Sequence, residues 1–258
     1  MSAEAPRGER LRRLHEDEPL LVMVNVWDAV TARLVAELPG CRALATASHS
    51  IAEAHGYRDG EQIPRDLMIE AVGRIAAAVE LPVSADLEAG YGDVGETVRR
   101  AIAVGAVGAN IEDQMRPLPE AAAMMAAAVT AAEGDGVPFA LNARTDAYLL
   151  GGDRDRGELL EDAVARGRAF LDAGATCVFV PGRLDEPTVE RLVEGIGERK
   201  ISVICVPGSP PLGTLERLGV ARISLGPWSQ RIALTAWADA AAGILHGASL
   251  PEGVRAIG

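Results

Sequence analysis

Short apolar runs alternate with segments of helical periodicity along almost the whole chain of 258 residues. The runs are too continuously apolar for strands with one solvent face, so they indicate strands buried on both sides. The intervening helices are illustrated by the segment beginning at Pro64, which places Met68, Val72, Ile75 and Val79 on one face. The eight predicted strands cover residues 20–25, 41–48, 83–88, 108–113, 139–146, 177–180, 202–206 and 221–226.

Strict alternation of strand and helix predicts an α/β fold with a parallel sheet, because each helix returns the chain to the start of the next strand. Eight such units over this length fit a closed (β/α)₈ TIM barrel, with residues 1–258 as a single domain. An open, doubly wound sheet is the alternative. The stretch between the second strand and Pro64, residues 48–63, is predicted as a long polar loop.

The composition excludes several classes of partner. The formal charge of −12 argues against nucleic acid and against anionic membrane surfaces, since both require a basic face. The sequence contains no run of eighteen apolar residues and no apolar signal segment near its start, so we expect no membrane span and a cytoplasmic location. The widely spaced Cys41, Cys177 and Cys205 are expected to be buried, reduced thiols.

Acidic residues gather at the carboxyl ends of three consecutive predicted strands. Side chains two apart in a strand share a face, so Asp86 and Glu88 are expected to point the same way. The next two strands end in Glu112 with Asp113, and in Arg144 with Asp146. The opposite ends of these strands begin with uncharged residues. Because the carboxyl ends of barrel strands meet at one mouth, this asymmetry predicts a functional site there.

The residue types suggest the chemistry of that site. Carboxylates without a His or Cys cluster favour an oxygen-ligated cation, for which Mg²⁺ is the default and Mn²⁺ the alternative. Arg144 offers a planar fork that matches a carboxylate or phosphate group. A metal beside an arginine suits a small 2-oxo acid, because polarising the keto oxygen stabilises an enolate when a neighbouring bond breaks.

Three motifs in this order resemble the phosphoenolpyruvate mutase/isocitrate lyase superfamily: Ala-Asp-Leu-Glu-Ala-Gly-Tyr-Gly (residues 85–92), Asn-Ile-Glu-Asp-Gln (residues 110–114) and Asn-Ala-Arg-Thr-Asp (residues 142–146). The resemblance implies a TIM barrel and a Mg²⁺ shell of Asp86, Glu88 and Glu112, partly through waters. It implies that Arg144 binds the substrate carboxylate and that the second strand's end holds the 2-oxo acid. The residues at that end are Thr46, Ala47 and Ser48. Asp86, besides binding the metal, is also implied to contact the substrate.

The resemblance has two further implications. Asp59 matches an acid in the loop after the second strand, which gives it a catalytic role. Members of the superfamily commonly assemble as dimers of dimers that exchange the last helix. We therefore expect a homodimer or homotetramer, with residues 228–245 in the interface.

The segment that selects the reaction departs from the family pattern. Carbon–carbon lyases of the family carry a Lys-Lys/Arg-Cys-Gly-His gate after the fourth strand, and phosphonomutases place an Asn in that gate. Here Asp113 is followed by Gln-Met-Arg-Pro-Leu-Pro (residues 114–119), with no Cys, Lys or Asn. Gly182 replaces the Glu or His that relatives carry after the sixth strand. A short gate admits water, which disfavours trapping a reactive phosphoryl or carbanion intermediate.

Four other residues are candidates for the missing roles. His49 and His55, in the predicted loop over the mouth, could supply an acid or base, although loop histidines are usually only solvated. Arg116 could reach the site from the short gate, against a structural role before Pro117. Arg183, after the sixth strand, could hold a second carboxylate.

These observations predict a Mg²⁺-dependent enzyme that acts on a small 2-oxo or dicarboxylic acid. The predicted chemistry is carbon–carbon bond cleavage, as a lyase or decarboxylase, through a metal-stabilised enolate. One alternative is phosphorus–carbon bond chemistry of the phosphonomutase or phosphonopyruvate type. A second alternative, of another class, is a relative that binds 2-oxo acids without turning them over.

Overall fold

The computed structural model describes residues 4–17 and 19–255, and these residues form a barrel of parallel strands surrounded by helices. The strands within these ranges are β1 (Leu21–Met23), β2 (Asn25–Val26), β3 (Leu44–Thr46), β4 (Val83–Asp86), β5 (Gly108–Glu112), β6 (Ala140–Arg144), β7 (Cys177–Val180), β8 (Ile201–Ile204) and β9 (Arg222–Ser224). Every paired neighbour runs parallel, in the order β1-β9-β8-β7-β6-β5-β4-β3-β2.

The first predicted strand closes the barrel. It is divided at Val24, so that β1 pairs with β9 while β2 pairs with β3. Asn25 secures the junction, because its Oδ1 accepts hydrogen bonds from the amides of Leu225 and Gly226 at 2.7 and 2.8 Å. Its Nδ2 donates to the carbonyl of Thr46 at 2.7 Å. This closure confirms the TIM barrel and rules out the open, doubly wound sheet.

The helices follow the predicted alternation, with one error in the prediction and one helix that the prediction did not include. They are α1 (Ala5–Glu16), α2 (Ala29–Ala36), α3 (Ser48–Ala54), α4 (Arg65–Ala77), α5 (Val94–Ala103), α6 (Leu118–Gly134), α7 (Ala147–Leu150), α8 (Arg156–Asp172), α9 (Glu186–Ile196), α10 (Leu212–Arg217) and α11 (Trp228–Leu245). The predicted loop over residues 48–63 was wrong in its first half, which is α3. The polar start of the chain forms α1, because buried Leu11 and His15 give that helix one packed face.

Helix α1 covers the amino-terminal end of the barrel. Leu11 is fully buried and lies so near Gly108 that a Cβ on the glycine would be 2.8 Å from the Leu11 side chain. His15 is also buried, and its Nδ1 lies 2.8 Å from the Leu11 carbonyl. The opposite end of the barrel, where the strands finish, therefore provides the open mouth.

Two further sequence-based expectations concern cysteines and membrane spans. All three cysteines are free, as expected; Cys177 is buried, whereas Cys41 and Cys205 are only half-buried. Within residues 4–17 and 19–255, no helix has both the length and the apolar character needed to cross a membrane.

Candidate active site at the carboxyl ends of the strands

Asp86 is the last residue of β4 and is held by the end of β3. Its Oδ2 accepts hydrogen bonds from the amide of Ser48 at 3.0 Å and from the hydroxyl of Ser48 at 2.8 Å. Its own amide donates to the hydroxyl of Thr46 at 2.8 Å. The second carboxylate oxygen, Oδ1, has no hydrogen-bond partner among the described residues, which leaves it available to a ligand at the mouth.

Glu88 lies in the turn after β4, whereas the prediction had the strand continue to Glu88. Strand β4 ends at Asp86, and Glu88 has a φ of 52°, so the two-residue alternation stops before Glu88. Its carboxylate accepts hydrogen bonds from the hydroxyl of Tyr91 at 2.9 Å and from the amide of Glu61. Glu61 in turn accepts a hydrogen bond from the Tyr91 amide at 2.6 Å. This interlock attaches the loop before α4 to the turn after β4.

Arg144 lies between two carboxylates. Its Nη1 is 2.7 Å from Glu112, directly opposite it across the β5–β6 register, and its Nε donates to Asp146 at 2.7 Å. Its side chain is 23% exposed, so it faces the mouth while forming both ion pairs. The neighbouring charges of Glu112 and Asp146 raise the pKa of Arg144 against the effect of burial, which keeps the guanidinium charged.

Burial makes the acids of the mouth unusually weak. It raises the pKa of Glu88 to about 7, although the hydrogen bond from Tyr91 opposes the shift. It also raises the pKa of Glu112 to about 7, against the opposing charge of Arg144. The pKa of Asp146 is raised for the same reason. Several carboxylates crowded into one partly buried mouth favour the entry of a cation.

The turn after β5 is anchored from behind. Asp113 is fully buried and accepts hydrogen bonds at Oδ1 from the amides of Met115 and Asp146, both at 3.0 Å. Arg166 of α8 donates through Nη1 to Asp113 at 3.0 Å and to the carbonyl of Arg116 at 2.9 Å. This buried ion pair fixes residues 113–116, so the short gate predicted from the sequence is also a rigid one.

Gln114 was not among the predicted site residues, yet it lies against the mouth. Its amide donates to Asp146 at 3.2 Å, and its side chain reaches Glu112 at 3.4 Å. Arg116, by contrast, is directed toward Gln114 and Met124, with donor–acceptor distances of 3.2 and 3.0 Å. The signal for Gln114 was present in the sequence, since it follows Glu112 and Asp113 in the second motif.

The remaining predicted residues lie around the rim. Asp59 is near enough to both Asp86 and His49 to interact electrostatically: burial and Asp86 raise the pKa of Asp59, and His49 opposes that shift. His49 lies in α3, 3.7 Å from Glu53. Ala47, which precedes α3, is buried.

His55 and Arg183 lie away from the acid cluster. The Nδ1 of His55 is 2.8 Å from the carbonyl of Ile51 in α3, and its ring lines a groove with Trp27, apart from the acids. Arg183 is exposed on the β7 side of the mouth, where its guanidinium lies against Gly208. The structure therefore brings together the acids of β4, β5 and β6 but not His55 or Arg183.

The donor set fits a hard divalent cation bound through water. No three His, Cys, Asp or Glu side chains within residues 4–17 and 19–255 are arranged as a complete direct metal site. Mg²⁺ in proteins is commonly held by one or two carboxylates and several waters. The free Oδ1 of Asp86 provides one such carboxylate, while Glu88 and Glu112 are held by protein partners and are suited to water-mediated contacts.

Comparison with known proteins shows which protein family has these features. A family model described as phosphoenolpyruvate phosphomutase matches residues 11–245. The oxaloacetate decarboxylase of Paraburkholderia xenovorans strain LB400 is 30% identical over 203 residues, covering 72% of this chain and 65% of that enzyme.

Solved structures show the same similarity. A Burkholderia cenocepacia J2315 protein, described provisionally as a phosphonomutase, is 42% identical with a TM-score of 0.85, over 90% of this chain and 98% of that one. An oxaloacetate acetylhydrolase in complex with its product oxalate is 25% identical with a TM-score of 0.84, over 96% and 91% of the two chains.

Proposed function

This chain belongs to the phosphoenolpyruvate mutase/isocitrate lyase superfamily, and from that premise we propose that it is a Mg²⁺-dependent enzyme cleaving a carbon–carbon bond in a small 2-oxo dicarboxylic acid. The superfamily includes lyases, hydrolases and mutases, which supports an enzymatic activity for this chain. The observation that carries the proposal is the mouth itself: a free oxygen of Asp86 and the exposed edge of Arg144 within one acid-lined opening.

The metal would be held by Asp86, with Glu88 and Glu112 contacting its waters. When bound, such an ion polarises the keto oxygen of the substrate and favours the negative charge that forms when the adjacent bond breaks. Mn²⁺ has similar oxygen-ligand preferences and serves as the alternative ion. Ser48 donates hydrogen bonds to Asp86 from both its amide and its hydroxyl, so its main role is to position that metal ligand.

Arg144 is the substrate-binding cation. Two of its nitrogens are occupied by Glu112 and Asp146, which orients the remaining edge of the guanidinium for a carboxylate. Thr46 and Ala47 line the same side of the mouth at the end of β3. Asp59 interacts electrostatically with both Asp86 and His49, and it has no ion pair with an arginine among the described residues. We propose it for proton transfer.

The rigid turn after β5 favours decarboxylation among carbon–carbon cleavages. A departing CO₂ needs no protein acid, whereas a departing carbanion or alkoxide does. The turn contains no Cys, and Arg116 is engaged with Gln114 and Met124. A turn fixed by Arg166 also keeps the mouth open to water, which can protonate the enolate once CO₂ has left.

Activity assays with and without metal test this proposal. We expect purified protein with Mg²⁺ to release CO₂ from oxaloacetate, and EDTA to abolish the reaction. Asp86→Ala should lower the rate by roughly 10³-fold, because a metal ligand is lost. Glu9→Ala is the matched control, since that carboxylate is 54% exposed in α1, at the opposite end of the barrel from the mouth. Neither turnover nor oxalate binding in the presence of Mg²⁺ would contradict the proposal.

Two alternatives have distinct outcomes in the same assays. Similarity to the Burkholderia protein motivates phosphorus–carbon chemistry, for which phosphorus-31 resonances of phosphonopyruvate would change on incubation. The lack of a gate acid motivates a non-catalytic relative, for which oxalate would bind tightly while no substrate in a 2-oxo-acid panel is consumed.

Helix α11 supports a homodimer or homotetramer as the working form. Within the described residues it buries only Gln230, whereas Trp237 is 65% exposed and Leu245 is 85% exposed. An apolar helix of this length is stabilised when a second copy covers it. Light scattering should give at least the dimer mass, and a monomer would contradict this.

The free cysteines suit the reducing cytoplasm that we propose as the protein's location.

A further inference from the structure

The interior of the barrel below the mouth is polar, although TIM barrels usually fill this space with branched apolar side chains. Five polar residues on five strands project toward one another there. They are Ser84 (β4), Asn110 (β5), Asn142 (β6), Ser202 (β8) and Arg222 (β9). All five are at most 6% exposed.

Arg222 lies at the centre of this layer without an acidic partner. It is fully buried and forms no ion pair within residues 4–17 and 19–255. Its hydrogen bonds are long, at 3.3 Å to the Ser84 hydroxyl and 3.4 Å to Asn110 Oδ1, and its Nε has no hydrogen-bond partner. A buried cation with such weak local contacts is costly, so its charge must be compensated from further away.

The register shows where that compensation comes from. Ser84 precedes Asp86 by two residues, and Asn110 precedes Glu112 by two. Since alternate residues of a strand share a face, each polar residue lies directly beneath an acid of the mouth. Asn142, which donates to Asn110 Oδ1 at 2.8 Å, lies beneath Arg144 in the same way.

The charge of Arg222 interacts with the acids of the mouth. Burial lowers the pKa of Arg222 to about 10, while the nearby charge of Asp86 opposes that shift, so the guanidinium stays charged at neutral pH. On the opposite side, burial, with a smaller contribution from Arg222, lowers the pKa of His15 to about 3, so His15 is neutral. Arg222 is therefore a cation directed at the acids of the mouth from below.

We propose that Arg222 is a positioning residue that holds the strands carrying Asp86 and Glu112 in register and sets the charge beneath the metal-binding mouth. This inference rests on the proposed function. A cation in this position repels an entering divalent metal and attracts the anionic substrate, so it weakens the first interaction and strengthens the second. A purely structural residue would affect both affinities in the same direction.

Calorimetric titrations with Mn²⁺ and with oxalate distinguish this electrostatic role of Arg222 from a purely structural one. Arg222→Gln removes the charge and keeps hydrogen-bonding capacity. We expect Mn²⁺ to bind about tenfold more tightly and oxalate, with saturating Mg²⁺, about tenfold more weakly. Arg222→Lys keeps the charge and is the matched control, with both affinities within about threefold of wild type. Asn110→Asp provides a second route, because a carboxylate in contact with Arg222 compensates its charge and predicts the same opposed changes.

The outcomes distinguish this inference from the proposed function. If wild type binds Mn²⁺ and oxalate but Arg222→Gln or Asn110→Asp shifts both affinities in the same direction, or neither, the role of Arg222 is overturned while the proposed function stands. If wild type binds no Mn²⁺, both are overturned. Opposed shifts in the charge-neutralising variants together with a near-normal Arg222→Lys support the inference.

Discussion

The polar side chains on the two sides of the barrel mouth differ in how many hydrogen-bond and ion-pair partners they have within the protein. On the side formed by β4, β5 and β6, Asp86, Glu112 and Arg144 each have protein partners within 3.0 Å. On the side formed by β7 and β8, Arg183 is exposed and has no ion pair or hydrogen bond with another described residue. The first side, which we call the committed side, has the fixed geometry that one reaction step requires. The second, which we call the open side, can accept different substrates.

This difference separates reaction from specificity. Oxygen ligands and an oriented arginine stabilise the keto end that all 2-oxo acids share. Under the proposed function, the rest of the substrate would extend toward the other side, where Gly182 and Arg183 follow β7. Members of one superfamily can therefore differ in substrate while the strand-end acids stay in place. Substitutions on the two sides should have effects of very different size.

The largest effect is expected on the committed side. Arg144→Gln leaves Glu112 and Asp146 without their cation and removes the carboxylate-binding edge. We expect kcat/KM for oxaloacetate to fall roughly 10²–10³-fold and oxalate affinity to fall with it. Arg74→Gln, on an exposed face of α4, is the control and should retain full activity. Full activity in Arg144→Gln would remove the distinction between the two sides.

An intermediate effect is expected from the open side. Arg183→Ala removes an exposed charge, so KM for oxaloacetate should rise about 2–5-fold with kcat unchanged. The inhibition constant for oxalate should not change, because oxalate occupies only the keto-acid end. Steady-state kinetics with both compounds test this. A drop in kcat as large as that of Arg144→Gln would place Arg183 in the chemistry instead.

The smallest effect is a pH dependence of stability that belongs to the committed side alone. The folded pKa values of Glu88 and Glu112 are about 7, against a usual 4.5, so the folded state binds more protons than the unfolded state between these values. Stability of the metal-free protein should therefore fall as pH rises from 4.5 to 7, lowering the melting temperature by several degrees per group.

Thermal melts with and without Mg²⁺ measure this dependence. Added Mg²⁺ should reduce the loss at pH 8, because a cation compensates the ionised acids. Glu112→Gln should remove part of the slope, whereas Glu70→Gln on the surface of α4 should not. A slope of the opposite sign in the metal-free protein would show that these acids are better stabilised in their charged form than their burial indicates.

Part of this site was predictable because its signals are local. The three motifs placed Asp86, Glu112 and Arg144 at strand ends, and parallel neighbours then had to bring those ends together. The prediction for Glu88 was wrong in its geometry, since it assumed that the strand continued past Asp86. The turn conformation at Glu88, with a φ of 52°, depends on hydrogen bonds from Glu61 and Tyr91 that strand periodicity cannot reveal.

The alternation of strand and helix, and the acids at the strand ends, determined the barrel and the class of site, because periodicity is a property of neighbouring residues. Tertiary structure alone decided that the β5 turn is rigid and that a cation lies beneath the mouth. Arg166 contacts Asp113 across 53 residues, and Arg222 contacts Ser84 across 138. Contacts over such separations exist only after the sheet has closed, since closure brings distant side chains into one buried interior.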